Sequence, residues 1–302
     1  MKAFSFRTLF IKTLALFTVI RGYNIAMLVL AQYMATLFVF NDGKDHLQIL
    51  FDRKINFIII ASALSAAAGY IINNFYDLEK DRIQRPLHNY IERFISQNFK
   101  LNTYLLLNSL ALLISILVSW RVLIFFIVYQ FMVWFYSHKI NKIVWINNLY
   151  SVVLMAFPFF ALFLYYENYS PIIFLHASFL FILLLITDIL KDLTSTSADA
   201  IYGYHTLPIV YGEHKTKNIL SVLMFLNAGL SIYMWDNSAT GYMRYFFIFC
   251  SLLMILLQIP LHRNHSKTTY KLLYFIFKLL IGLGIINMVF IDINPLDLQN
   301  II

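Results

Sequence analysis

Nine stretches of this chain, at 22–40, 55–74, 101–119, 122–137, 144–166, 171–190, 217–235, 243–261 and 271–291, are dominated by apolar residues. Most run close to the roughly 20 residues that a helix needs to cross a hydrocarbon core. Nothing else in the sequence limits the fold so strongly. In lipid, every backbone N–H and C=O needs an internal partner, so segments of this kind must be helical. The expected fold is therefore all-α, an integral membrane bundle of about nine transmembrane helices. Hydrophobic residues make up 61% of the 302 positions and charged residues 13%, which leaves too little polar surface to clothe a soluble domain.

The formal net charge of +8 reads as topology. Nine spans put the termini on opposite sides, and 17 lysines and arginines fall on the side of the N-terminus against 5 on the other, with Lys278 left inside the last span. Basic residues favour the cytoplasmic side, so the N-terminus is expected there, in a membrane of bacterial cytoplasmic type. The basic residues form no cluster on a soluble face, so no nucleic-acid partner is expected. Cys250 is the single cysteine, which excludes a disulfide framework and a thiolate metal site. Residues 1–20, carrying Lys2, Arg7 and Lys12, are expected to form a short interfacial helix. Without a linker or short-period repeat, residues 1–302 read as one domain. Two longer polar loops, 75–100 and 188–216, follow the second and sixth spans. His176, within the sixth span, is expected to bond a neighbouring helix.

Chemistry concentrates in those loops. After the second span the chain reads Asn73-Asn74-Phe75-Tyr76-Asp77-Leu78-Glu79-Lys80-Asp81-Arg82. Asn73, Asp77 and Asp81 are spaced i, i+4, i+8 and share one face of a continuing helix. After the sixth span, Asp188, Asp192, Ser195 and Asp199 fall at i, i+4, i+7, i+11, a second single stripe. Stacked carboxylates repel unless a hard cation joins them. Magnesium, which takes oxygen ligands from one or two carboxylates and from substrate phosphates, suits such stripes better than zinc. Asp188 directly follows an apolar run, where an ionisable group is costly and functional by default.

With these residues in view, the chain resembles the UbiA superfamily of intramembrane prenyltransferases. The family's first motif, Asn-Asp-x-x-Asp-x-x-x-Asp, is matched by Asn73, Asp77 and Asp81. Its second, an acidic helix end followed by Gly-x-x-Thr-Leu-Pro, is matched by Asp188, Lys191, Asp192, Asp199 and Gly203-Tyr204-His205-Thr206-Leu207-Pro208. Arg21 and Asn24 open the first span, and Tyr136-Ser137 with Asn148 lie at the fourth and fifth, so the likeness runs along nearly the whole chain. Three positions depart from the pattern. Asn74 replaces the second-position Asp, Ser195 replaces an Asp of the second stripe, and Asn141 stands where a Lys is usual, flanked by Lys139 and Lys142.

The resemblance implies a bundle around a central cavity open to the bilayer, with cytoplasmic loops capping it and the active site at its cytoplasmic mouth. It implies transfer of a prenyl group from an isoprenoid diphosphate to a lipophilic acceptor of aromatic or glycerol-phosphate type. Asp77, Asp81, Asp192 and Asp199 would hold Mg2+; Asn73 and Asp188 would orient ligands or water. Arg82, Lys139, Lys142 and Lys191 would neutralise the remaining phosphate charge. Asn24, Asn74, Tyr136, Asn148 and Ser195 complete the expected substrate-binding set, and Tyr76 and Tyr136 are the aromatic groups for a carbocation. Membrane lipid is the expected surround. Two other readings stay open: a relative that binds a prenyl lipid without turnover, motivated by the three departures, and a transporter, which would place its acids nearer the bilayer midplane.

Overall fold

A computed structural model describes residues 6–41, 45–84 and 90–291, with the side chains of 6–10, 83 and 84 set aside. Of the basic residues considered above, Lys2 and the side chain of Arg7 lie outside the described residues, as do Lys44 and Arg85, which entered the charge count. Within them, all regular structure is helical: α1 (Phe6–Val19), α2 (Gly22–Phe38), α3 (His46–Leu50), α4 (Arg53–Tyr76), α5 (Leu78–Gln84), α6 (Gln97–Ile116), α7 (Trp120–His138), α8 (Ile146–Tyr166), α9 (Pro171–Ile201), α10 (Leu207–Asp236), α11 (Arg244–Leu256), α12 (Gln258–Arg263) and α13 (Lys267–Asn287). Short 3-10 turns fill Ile140–Lys142, Ser238–Met243 and Met288–Phe290. Among the described residues, eight spans are long and apolar enough to cross a membrane, or nine if α1 and α2, bent by 61°, form one broken span. The bend occurs where Arg21 takes a φ of 51°, a left-handed conformation that no right-handed helix carries through.

Helix starts follow local chemistry. Asp52 accepts from the backbone of Lys54 and Ile55, and Ser96, Ser119 and Ser266 each accept from a backbone N–H two or three residues on. Proline occupies the first turn of α9 and of α10, where its missing N–H costs nothing. Inside α8, Pro158 interrupts the ladder, and its carbonyl accepts from the buried Gln32 side chain at 3.1 Å.

Three sequence expectations change here. The polar stretch 188–216 is mostly helix, because α9 runs on to Ile201 and α10 begins at Leu207. Its hydroxyls bond their own helix: Thr194 to the carbonyl of Lys191, Ser195 and Thr196 to that of Asp192. These polar side chains satisfy themselves without breaking the ladder. Conversely, the helix expected to continue through Asp81 stops at Tyr76. Asp77 caps it with φ −96° and ψ 7°, and α5 starts again at Leu78. His176 sits 2.8 Å, through Nδ1, from the carbonyl of Ile172 in its own helix, with its ring edge-on to Phe247.

The chain comprises two compact units, Met1–Leu30 with Leu50–Ile140, and Ala31–Ile49 with Asn141–Ile302. In the first, α4 is the hub against which α6 and α7 pack. Its buried face carries Ala61, Ser62, Ser65, Ala67 and Ala68, small residues that let helices approach closely in lipid. A Cβ on Gly69 would sit 2.7 Å from Val133 of α7. Ala15 and Val19 of α1 bury against Ile71 and Ile95, so one face of the N-terminal helix rests on protein. In the second unit, α9 packs against α8, α10 and α13. Leu183, Ile186, Ile189 and Leu190 join Phe247, Cys250, Met254 and Phe277 in its core.

Candidate functional site

In the second unit, the continuous α9 brings its acidic stripe onto one buried face: Asp188 is 4% exposed, Asp192 2% and Asp199 0%. Their neighbours explain how charge is held there. Asn148, in the first turn of α8 and 1% exposed, donates its Nδ2 to Asp188 Oδ2 at 2.9 Å and to Asp192 Oδ2 at 2.8 Å. One amide thereby clamps two carboxylates. Lys191 pairs with Asp188 and lies 4.0 Å from Asp192 Oδ1, its side chain reaching toward water. Ser195 donates to Asp199 Oδ2 at 2.6 Å, so the hydroxyl that replaces a carboxylate in the stripe solvates the next one. After α9, Gly203 turns the chain with φ 68°, and Tyr204 N donates to the carbonyl of Asp199 at 2.9 Å. Lys142, in the Ile140–Lys142 turn, places its ammonium 5.5 Å from the Tyr204 ring centre. Asn141 is buried in the same turn.

In the first unit, Asn73 donates to Asp77 Oδ2 at 2.9 Å and accepts from Ser137 Oγ of α7 at 3.5 Å. The helix break at Asp77 is shallow. Asp77 N still reaches the Asn73 carbonyl at 2.9 Å, and Asp81 N the Asp77 carbonyl at 2.8 Å. Asp81 is buried, Asp77 half-buried and Arg82 exposed. Tyr76 meets His138, OH to Nδ1 at 3.1 Å, and Tyr136 is half-buried. Lys139 is exposed at the end of α7. Near the α1–α2 break, Asn24 donates to Tyr70 OH at 3.2 Å, and the Arg21 guanidinium stands 5.1 Å over the Tyr70 ring.

Asn74 differs from the expectation of a group facing substrate. Its amide donates to both oxygens of Glu92, at 3.0 and 2.9 Å, and its Oδ1 accepts from Lys100 at 2.7 Å. Neither Glu92 nor Lys100 stands out in the sequence, where both lie in the polar stretch 75–100. Both are buried, and no signal in one sequence marks them.

Among the described residues, no three His, Cys, Asp or Glu side chains gather closely enough to enclose a metal by themselves. The donors that do converge are hard oxygens. Beside them, buried Asn148 Oδ1 has no protein partner among the described residues. That arrangement fits Mg2+, which binds through one or two carboxylates and leaves positions for water and phosphate oxygen. It does not fit a closed protein cage.

Comparison with known proteins gives a consistent answer. The model of the UbiA prenyltransferase family matches residues 29–280. A digeranylgeranylglyceryl phosphate synthase of Saccharolobus solfataricus is 27% identical over 165 residues, 54% of this chain. The chain spans 58% of that relative's length. A solved structure of digeranylgeranylglyceryl phosphate synthase superposes with a TM-score of 0.71 at 21% identity, covering 93% of this chain and 98% of the other. A UbiA homologue from Archaeoglobus fulgidus, solved with DMAPP and Mg2+, gives a TM-score of 0.68 at 13% identity, covering 91% and 98%. At those identities the two structures show a shared fold.

Proposed function

This chain belongs to the UbiA prenyltransferase family, and from that premise we propose that it transfers a prenyl group from an isoprenoid diphosphate to an acceptor in the membrane, a glycerol-phosphate lipid being the favoured acceptor. The observation that carries the proposal is the buried carboxylate pair Asp188–Asp192, clamped by Asn148 and neutralised in part by Lys191. Buried acids at a span end are expensive and weak evidence for stability, so their retention speaks for chemistry. The acceptor class is supported by the S. solfataricus relative, named for synthesis of a glyceryl phosphate lipid, with an aromatic acceptor as the second class.

In this reading, Asp77, Asp81, Asp192 and Asp199 would hold Mg2+ for the diphosphate. Bound magnesium would neutralise the phosphate oxygens and so stabilise diphosphate as a leaving group. Asn148 and Asn73 keep Asp192, Asp188 and Asp77 in fixed rotamers, which limits reorganisation when charge moves. Lys191, joined by Lys139, Lys142 and Arg82, offsets the remaining anionic charge. The allylic C–O bond breaks with its electron pair leaving on the diphosphate, and the acceptor forms the new bond at C1 and loses a proton. The apolar tail lies between helices while the head stays at the interface. The basic bias supports the cytoplasmic side for that interface. Lys100 and Lys217 are buried rather than facing the headgroups, and leaving them out does not change the sign of the bias.

The test is turnover in nanodiscs with an isoprenoid diphosphate, Mg2+ and either a glycerol-phosphate lipid or an aromatic acid, reading diphosphate release and the mass of the product. The expected result is release and prenylated lipid in the wild type and neither in Asp77→Ala or Asp192→Ala. Product from the aromatic acid alone transfers the assignment to the other acceptor class. Absence of release with every acceptor refutes the proposal in favour of a non-catalytic prenyl-lipid binder.

A further inference from the structure

The end of α4 carries a second polar arrangement that the proposed chemistry leaves unused. Asn74 in its last turn, Glu92 in the helical stretch 90–92 and Lys100 in the first turn of α6 are 5%, 4% and 1% exposed. Their side chains close a ring: Asn74 Nδ2 to both Glu92 oxygens at 3.0 and 2.9 Å, Lys100 Nζ to Asn74 Oδ1 at 2.7 Å, and Lys100 Nζ to Glu92 Oε2 at 3.4 Å. The ring holds one ammonium, one carboxylate and one neutral amide. Burying such a set brings no clear gain over apolar residues of the same volume, but it accepts only one geometry.

Its location gives that geometry a use. Asn73 is the adjacent residue, about 100° round the helix, so anchoring residue 74 on the buried side fixes where Asn73 points. Asn73 in turn donates to Asp77 Oδ2 at 2.9 Å. Two residues beyond the anchor the helix stops at Tyr76, and Asp77 leaves helical geometry. The last turn of α4 is thus tied to α6 and to 90–92 just before α4 gives way to α5.

We propose that the Asn74–Glu92–Lys100 triad is a positioning device for the first acidic helix end: it sets the orientation of Asn73 and Asp77, and through them the Mg2+-dependent affinity for isoprenoid diphosphate. This inference rests on the proposed prenyl transfer. The triad works through its balance of one ammonium and one carboxylate, so the amide and the carboxylate can exchange places. A sharp consequence is that Asn74→Asp, which restores the family's pattern at this position, weakens the site: two carboxylates would face one ammonium. Glu92→Gln strands Lys100 instead.

The experiment measures binding of a non-reactive isoprenoid thiolodiphosphate to the full chain in nanodiscs, with and without Mg2+, alongside thermal unfolding. Asn74→Asp and Glu92→Gln are each expected to weaken Mg2+-dependent binding by about 10–100-fold, the usual effect of losing an outer support of a metal site. The exchange Asn74→Asp with Glu92→Gln restores it to within a few-fold. An apolar triple variant, Asn74→Leu, Glu92→Leu and Lys100→Met, is expected to unfold at the wild-type temperature or above and still bind weakly, an outcome that a purely structural role does not produce. Single variants or a folded apolar variant binding like the wild type overturn the proposal. So does an exchange variant that misfolds or binds no better than the singles. A wild-type protein that binds no analogue sinks the prenyl-diphosphate reading itself, and this inference with it.

Discussion

Replacing Asn148 with Leu removes two hydrogen bonds and changes little else, since the side chains are of similar length and the site is 1% exposed. The lost bonds are those to Asp188 Oδ2 at 2.9 Å and Asp192 Oδ2 at 2.8 Å. A hydrogen bond to a charged group contributes about 1.5–3 kcal/mol, so the pair amounts to roughly 3–6 kcal/mol before relaxation. Water entering beside the two acids, and Lys191 drawing closer, offset part of that. Taking the lower half of the range, kcat/KM is expected to fall by about 10²–10³-fold, at about 1.4 kcal/mol per factor of ten. Single-turnover release of diphosphate at saturating Mg2+ reads this directly, with Asn148→Gln as a control that keeps the amide on a longer arm. The reasoning fails if Asn148→Leu stays within about threefold of the wild type, less than the effect of one such bond.

Lys191→Met should raise the KM for isoprenoid diphosphate by about tenfold and alter kcat less, because the ammonium offsets charge already present in the bound substrate; steady-state kinetics with Lys191→Arg as the partial rescue decides this. Chelation with EDTA should reduce diphosphate release to background and Mg2+ should restore it, whereas activity unchanged by a chelator contradicts a metal requirement. Gly69→Leu should destabilise the first unit by about 1–3 kcal/mol through overpacking, since even a Cβ meets Val133 at 2.7 Å. Unfolding in detergent tests it, and an unaltered transition argues against this close approach of α4 and α7.

Much of this was legible from single residues. Apolar segment length gave the helices, because lipid allows few alternatives to them. The stripe Asp188, Asp192, Ser195 and Asp199 was readable as one face since α9 does continue, even though its Ser, Thr and Asp content suggested a loop. The matching stripe at Asp77 was less well described: helical spacing says nothing of the cap that ends α4 at Tyr76. The break at Arg21 is similarly silent in sequence, as arginine gives no warning of a positive φ. Asn148 was picked out by resemblance, yet its bridging of two acids needed coordinates. Glu92 and Lys100 show the limit most clearly. Charged residues in a polar segment read as solvated, and only their meeting with Asn74 reveals them as buried.

The most direct measurement of the central claim substitutes Mn2+ for magnesium and follows its electron paramagnetic resonance with a bound isoprenoid thiolodiphosphate. If the proposed ligand set is right, Asp77→Asn and Asp192→Asn should each remove the tight metal–diphosphate signal that the wild type shows. Retention of that signal at wild-type affinity in either variant contradicts the account.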